Sequence, residues 1–509
     1  MEEQGEKIGK VWLVGAGPGD PGLLTVRAFE ALESADVVIY DRLVGTGILS
    51  RIPPDTQLID VGKGDAFHPV PQEDINRLIA EHALAGRCVA RLKGGDPFLF
   101  GRGGEELVYL RERGIAAEVV PGVSSALAVP AYAGIPVTFR GLSASVHVLT
   151  WHRRAGEPPP ALPFRALVDG GGTLVILMGA KAVLAISRTL LDVGVAADTP
   201  AAIIQNGTTA RQATVLSTVG GLPEDASGMA PPAVIVIGAV AALAPRLDWF
   251  SSGPLRGRRI VVTRPSAQAG DICARIRAFG GEAVPVPCIR RQAADDGALR
   301  DALNRLARYR WLAFTSAAGV DAFFEALYKA GTDIRALGGT LFAAVGKATA
   351  ARLAGYGVHA DCVPDAHNGD ALGRALSERV QPGERVLLLR AAQGDAGLPA
   401  ALNAAGIAFD DVPAYKTVAD VGGNRFSHAL IEAGAFDAVY FASPSAVHAF
   451  AGAFKAPEGA PFTAFCIGPT TAAAAKKYGM SVLTASDATE DSVITALLDH
   501  IKKDGNTWN

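Results

Sequence analysis

A glycine turn at a strand end can hold an anion or a nucleotide, because it brings backbone N–H groups and the positive end of a helix up to a ligand. The stretch VGAGPGDPGLLT, residues 14–25, has that form: an apolar strand, then Gly15, Gly17, Gly19 and Asp20, then a helix expected over residues 23–32. A dinucleotide fingerprint requires a third glycine where the helix packs on the strand, and here Asp20 stands in that place. Pro18 also removes an N–H that a pyrophosphate would use. Asp41, ending DVVIYD, has the spacing of a ribose-binding acid, but with a defective fingerprint nicotinamide binding is disfavoured.

Further strand-to-turn units follow: RLKGGDPFLFGRGGEE at 91–106, VVPGVSSALAVPAYAGIPVT at 119–138 with a serine-capped helix, LVILMGA at 174–180 and AAIIQNGTT at 201–209. Beyond them the chain repeats itself. WLAFTSAAGVDAFFEAL resembles AVYFASPSAVHAFAGAF, so that Phe314 matches Phe441; Gly346 matches Gly468 and Arg264 matches Arg390, all at nearly one offset. That period is too long for a solenoid and predicts two similar α/β lobes. The strands end in small polar turns (Thr315-Ser316, Ser443-Pro444-Ser445, Gly468-Pro469-Thr470) that open helices. Each alone reads as an N-cap; as a set over two lobes they predict an anion-binding cleft.

The elements that must position these residues are bounded by composition. A chain of 509 residues with 49% hydrophobic and 19% charged residues predicts about three globular units. A net charge of −3 gives no basic field for nucleic acid, and the apolar run at 233–244, interrupted by Gly238, is too short for a membrane span and reads as a buried strand and the next helix. The N-terminus lacks an apolar signal core, and five scattered cysteines (Cys88, Cys273, Cys288, Cys362, Cys466) fit a reducing cytoplasm. His359, Cys362 and His367 lie near one another in sequence, but no metal site is expected. LDWFSSGPLRGRR, residues 247–259, has the composition of a linker and divides the chain near 253. GEPPPALP, residues 156–163, marks either a seam between lobes or a long surface loop.

Taken together with YDRLV and VGK, the first-half blocks resemble the tetrapyrrole methylase family, most closely its uroporphyrinogen-III C-methyltransferase branch, over residues 9–252. The blocks VVTRP, FTSAAGVDAFF, VGKATAARL, VPAYKT, FASPSAVHAF and CIGPTTAAAAKKYG resemble the uroporphyrinogen-III synthase family over 257–505. The resemblance implies an α/β protein: a methylase fold of two α/β domains with a cleft, then a two-lobed synthase fold with lobes of about 257–289 plus 416–505, and 290–415. The chain is expected to cross between lobes near 288–290 and 415–418.

The methylase resemblance implies an S-adenosylmethionine pocket formed by Pro18, Gly94, Gly95, Asp96, Leu99, Ser124, Ser125, Met178 and Gly207. Asp41 stands where the family places a proton acceptor and Lys63 where it places a donor. Arg42, Arg91 and Arg102 are candidates for the substrate's carboxylates. In the synthase half, Tyr415 matches a cleft tyrosine able to assist hydroxyl departure. Thr315, Ser316, Lys347, Ser443 and Thr471 are binding candidates, and no cofactor is implied. The expected partners are tetrapyrrole substrates and a second copy of the chain, docked through the methylase half. Two other readings stay open: a methylase of a later corrin intermediate with a synthase-like tail, and a non-enzymatic binding protein. Because the chain begins at the methylase strand, a fused dehydrogenase and NAD-dependent oxidation are not expected.

Overall fold

The computed structural model describes residues 8–53, 55–62, 70–151, 162–265, 268–294, 296–366, 368–394, 396–422, 425–454 and 462–503. Runs such as VWLVG and VVIY, apolar at every position, are the mark of parallel strands covered on both faces. They form the first sheet, all parallel, in the order Gln57–Asp60, Val37–Tyr40, Val89–Lys93, Val11–Gly15, Ala117–Val120. The helix expected from residue 23 starts later. Pro21 first closes a single 3-10 turn, Pro21–Leu23, and Thr25 then caps Val26–Glu33 by accepting from Ala28 N–H at 3.1 Å.

A second, mixed sheet has the order Ser145–Thr150, Gly172–Leu177, Ala233–Ile237, Pro200–Gln205, Ala213–Thr218. Ser145–Thr150 and Gly172–Leu177 are parallel neighbours in it. Residues 156–161 of the Pro-rich segment lie outside the described residues. The apolar run at 233–244 is the strand Ala233–Ile237, a turn at Gly238 with φ +138°, and a 3-10 turn that leads into Ala244–Leu247.

The structure forms two compact units, residues 1–287 with 422–509, and residues 288–421. The larger unit contains a third sheet, all parallel: Glu282–Pro285, Arg259–Val262, Ala438–Phe441, Thr463–Cys466, Ser481–Thr484. The smaller unit holds the order Ile289–Ala293, Ala408–Ala419, Arg385–Ala391, Trp311–Phe314, Leu341–Ala344. The sequence repeat does not map one copy to one sheet. Arg264 follows the strand Arg259–Val262, whose sheet neighbour Ala438–Phe441 carries the second-copy Phe441, while Phe314 shares its sheet with Arg390. Each sheet combines the first block of one copy with the later blocks of the other. The chain also leaves the smaller unit later than expected, at 421–422. Tyr415 to Ala419 still pair antiparallel with Ile289–Ala293, so the two connecting segments run side by side as strands.

The segment 247–259 is largely exposed but anchored at two points. The Trp249 ring lies 4.9 Å from Tyr132 and its Nε1 donates to Ala131 O at 3.0 Å, while Leu255 is fully buried in the core of the third sheet. Phe426, on the helix Arg425–Glu432, reaches the core of the first sheet and meets Tyr40 edge-on with ring centroids 5.4 Å apart.

Four cysteines are buried and Cys88 is half-buried. Burial pushes the Cys288 and Cys466 thiols up to about 12 and raises those of Cys273 and Cys362. Because the thiolate is the reactive form, native protein treated with iodoacetamide near pH 8 is expected to take one label rapidly, on Cys88, and five only when unfolded. Intact mass and peptide mapping read this, and fast labelling of Cys288 would contradict it.

Candidate active sites

Open parallel sheets bind ligands at the carboxyl ends of their strands. In the first sheet the loops after Val11–Gly15, Val89–Lys93 and Ala117–Val120 converge there by backbone contact. Gly17 and Gly95 exchange two backbone hydrogen bonds, N–H to O at 3.1 and 2.7 Å, with both residues at positive φ. A Cβ on Gly15 would lie 2.5 Å from Gly122 Cα, and one on Gly122 only 2.3 Å from Gly95 O. Asp96 closes the third side, accepting from Phe98 N–H at 2.8 Å and Gly122 N–H at 3.0 Å. Pro18 is half-buried beside this junction.

Asp20, the residue that spoils the dinucleotide fingerprint, ties this loop to the second sheet. Its N–H donates to Thr208 Oγ1 at 3.1 Å, and its carboxylate accepts from Tyr132 OH at 2.8 Å. Thr208 N–H donates to Gln212 Oε1 at 2.8 Å, and Gln212 Nε2 donates to Tyr132 O at 3.0 Å, which closes the ring of bonds. Burial and the Asp20 bond push the Tyr132 hydroxyl far above the usual tyrosine range. Gly19 packs against Gly207, Thr208 and Thr209, and Gly207 against Val129. Leu99 packs on the cluster that holds Ala126 and Val129. Ser124 caps the helix Ser125–Tyr132 by accepting from Ala126 N–H at 3.1 Å, so its hydroxyl is engaged, whereas Ser125 is half-buried. Met178 follows its strand at φ +56°, 51% exposed, and Phe100, Arg102, Asn206 and Thr208 also have positive φ. Strained backbone of this kind collects at functional sites, where surrounding structure over-determines it.

Beside these loops lies a charged cluster. Arg91 and Lys93 alternate on one face of a strand that is buried at all five positions. Both meet Glu106 Oε1, at 3.2 and 2.7 Å, and Gln72 Nε2 donates to the same oxygen at 3.0 Å. Glu106 is fully buried. Asp41, just beyond the neighbouring strand, is 27% exposed, accepts from Leu43 N–H at 3.0 Å and lies 3.8 Å from Arg91 Nη2. Burial and Arg91 push the Lys93 ammonium below its usual range, against the pull of Glu106.

Arg91 is 3% exposed and also donates to Ile39 O and Leu92 O, so the structure turns it inward, away from any solvent-borne carboxylate. Arg42 is exposed. Arg102 is exposed too, and its guanidinium grips Glu105 at 2.9 and 2.7 Å. Gly94 packs against Leu43, and Gly62 against the Arg42 backbone. Lys63 lies outside the described residues. Asp20, Tyr132, Thr208, Lys93 and Glu106 were missed by sequence reasoning. The visible signal for Lys93 was VARLK, in which it and Arg91 are two cations on one face of an otherwise apolar strand.

In the smaller unit, Ser316 caps Ala317–Lys329 by accepting from Gly319 N–H at 3.1 Å, and its Oγ lies 3.1 Å from the hydroxyl of half-buried Tyr415. Arg291 stands 5.9 Å from the Tyr415 ring. Thr315 is half-buried, and Lys347, exposed, opens Lys347–Gly355. In the larger unit, Ser443 caps Pro444–Ala453 with the same geometry as Ser316. Thr471 is only 4% exposed within Pro469–Lys476, so it faces the core and not a ligand. Among the described residues no cluster of His, Cys, Asp and Glu suits a metal, and no helix is long and apolar enough to cross a membrane.

Residues 10–223 match the family of tetrapyrrole (corrin/porphyrin) methylases and residues 271–495 that of uroporphyrinogen-III synthase HemD. A porphyrin biosynthesis protein HemD of Ruminiclostridium josui is 41% identical over 495 residues, 96% of this chain and 98% of that one. The chain belongs to both families, joined in one polypeptide. A uroporphyrinogen-III C-methyltransferase of Bacillus subtilis is 48% identical over 247 residues, 48% of this chain and 96% of that protein. A uroporphyrin-III C-methyl transferase of Thermus thermophilus, solved with S-adenyl homocysteine, is 39% identical, covers 46% of this chain and 100% of its own, and has a TM-score of 0.41. The chain spans about half the length of the siroheme synthases it matches, 52% for that of Edwardsiella ictaluri. The glycine loops and the charged cluster thus belong to a methylase half, and the Ser316–Tyr415 pair to a synthase half.

Proposed function

We propose that the synthase half closes hydroxymethylbilane to uroporphyrinogen III, with loss of water and inversion of the last ring, and that the methylase half then methylates this product twice to precorrin-2. The observation that carries the methylase reading is the convergence of loops on backbone, Gly17 on Gly95 and Gly19 on Gly207, with Asp41 at the next strand end. Such walls suit a nucleoside, which needs close backbone approach. S-adenosylmethionine, when bound, supplies an electrophilic methyl group. Pro18, Gly94, Gly95, Asp96, Leu99, Ser124, Ser125, Met178 and Gly207 hold it. Asp41 accepts the proton released as the ring carbon is methylated, Lys63 donates one, and exposed Arg42 and Arg102 meet the substrate's carboxylates.

In the synthase half Tyr415 assists departure of the hydroxyl, steadied by Ser316. Thr315, Lys347 and Ser443 bind carboxylates at helix N-termini, and this half needs no cofactor. The protein works in the cytoplasm as a homodimer built through its methylase half, with no nucleic-acid partner.

Titration with S-adenosylhomocysteine, followed by incubation with uroporphyrinogen III and S-adenosylmethionine, tests the methylase reading. Tight binding and a dimethylated product are expected; binding with no methylation would point to a later corrin substrate. Tyr415→Phe removes one hydroxyl at an intact ring. It is expected to slow cyclisation about tenfold, roughly the worth of one hydrogen bond, and to leave methylation of supplied uroporphyrinogen III unchanged. A Tyr415→Phe variant that cyclises at the wild-type rate would remove Tyr415 from the reaction.

A further inference from the structure

Arg91 and Lys93 place two positive charges inside the first sheet, and the buried carboxylate of Glu106 answers only one of them. A net buried charge is costly. Asp41, at 3.8 Å from Arg91, supplies the second negative charge from the edge of the cleft. That distance is an ion pair and too long for a hydrogen bond. Arg91 is held back from a closer grip because its Nε faces Glu106 and its Nη1 is shared by Ile39 O and Leu92 O. Glu106 is set in turn by Lys93 and by Gln72, which also bonds Asn76 at 2.9 Å. Its Oε2 is buried and has no partner among the described residues.

We propose that Glu106 is a positioning residue for methylation: it restrains Arg91 so that a cation stands beside Asp41 without capturing its carboxylate. The proposal rests on Asp41 as the proton acceptor and adds a residue that touches neither substrate nor cofactor. The charged groups around Asp41 are Arg91 and Lys93 from the central strand, Glu106 from the helix Gly103–Arg111, exposed Arg42 next in sequence, and Asp60 at the end of the adjoining strand, which accepts from Gly62 N–H at 2.9 Å. Only Arg91 makes an ion pair with Asp41 among the described residues.

The two members of the relay act in opposite directions. Without the Arg91 cation, Coulomb attraction no longer favours a carboxylate at this strand end, and the acid side of the pH–rate profile is expected at higher pH. Without the Glu106 charge, Arg91 is released onto Asp41, the acid side moves to lower pH, and the plateau falls because the paired carboxylate is a poorer base. The test compares Arg91→Gln, Glu106→Gln and Asp41→Asn in the full chain. It follows methylation of uroporphyrinogen III across pH, S-adenosylhomocysteine affinity by calorimetry, and cyclisation as a control in the same molecule.

The expected result is cofactor affinity within about threefold of wild type, unchanged cyclisation, a plateau in Glu106→Gln about 10 to 100 times lower, and limbs displaced in opposite senses. If Glu106→Gln fails to bind S-adenosylhomocysteine, Glu106→Asp carries the test. It keeps the charge, withdraws the carboxylate, and is expected to lower the rate at unchanged affinity. Limbs that stay in place or move together, with Asp41→Asn inactive, overturn the relay alone. A fully active Asp41→Asn overturns the reading of Asp41 on which it rests.

Discussion

Asp41→Asn is expected to lose methylation by a factor of about 10² to 10⁴, the usual contribution of a positioned acid–base group, while cyclisation continues at the wild-type rate. The substitution is nearly isosteric, and the amide oxygen can still accept from Leu43 N–H, the bond that shapes the turn at 3.0 Å. What disappears is the charge. Asp41 is a carboxylate at this strand end that is both partly exposed and set 3.8 Å from the buried Arg91 cation. Methylation assays at saturating cofactor and S-adenosylhomocysteine titration separate chemistry from binding: affinity is expected to persist while the rate falls. A rate within threefold of wild type would assign the proton to another group.

Gly15→Ala is expected to weaken cofactor binding, an effect that Asp41→Asn leaves out. The added Cβ would sit 2.5 Å from both Gly122 Cα and Gly122 N and 2.7 Å from Gly95 O. All three are backbone atoms, so no side chain can rotate aside. Relief requires separating the loops after three adjacent strands, and overpacking of this kind costs about 1–3 kcal/mol. If that separation opens the pocket wall, S-adenosylhomocysteine affinity falls about 10- to 100-fold, at about 1.4 kcal/mol per factor of ten. Gly104→Ala is the matched control, since a Cβ there meets nothing within 4 Å and the residue lies in the first turn of Gly103–Arg111. It is expected to be neutral or slightly stabilising. Calorimetric titration of both variants decides the point, and wild-type affinity in Gly15→Ala would show that the loop junction does not shape the pocket.

Where chemistry follows from residues close in sequence, it was legible. The glycine turns were visible as strand ends followed by helix caps, and Ser124, Ser316 and Ser443 cap the helices that their positions imply. The internal repeat revealed two similar sheets. It could not reveal that each sheet takes strands from both copies, because an offset relates segments to one another and says nothing of which sheet they join. Asp20 was read as a defect in a phosphate loop because its partners, Thr208 and Tyr132, lie more than a hundred residues away. Arg91 was a candidate for substrate because the tetrapyrrole that the resemblance implies carries carboxylates; Glu106, one helical turn into the next element, engages it inside the sheet. The linker composition of 247–259 concealed Trp249 and Leu255, which fasten that segment to the protein on both sides of its Ser-Ser-Gly-Pro centre.

The central claim is that one chain both makes and methylates uroporphyrinogen III, and a single incubation tests it. Pure protein is given fresh hydroxymethylbilane with and without S-adenosylmethionine, and the products are identified by absorbance, isomer analysis and mass. The account predicts the type III isomer without the cofactor and a product two methyl groups heavier with it. Type I isomer alone under both conditions, with supplied uroporphyrinogen III also returned unmethylated, would contradict it.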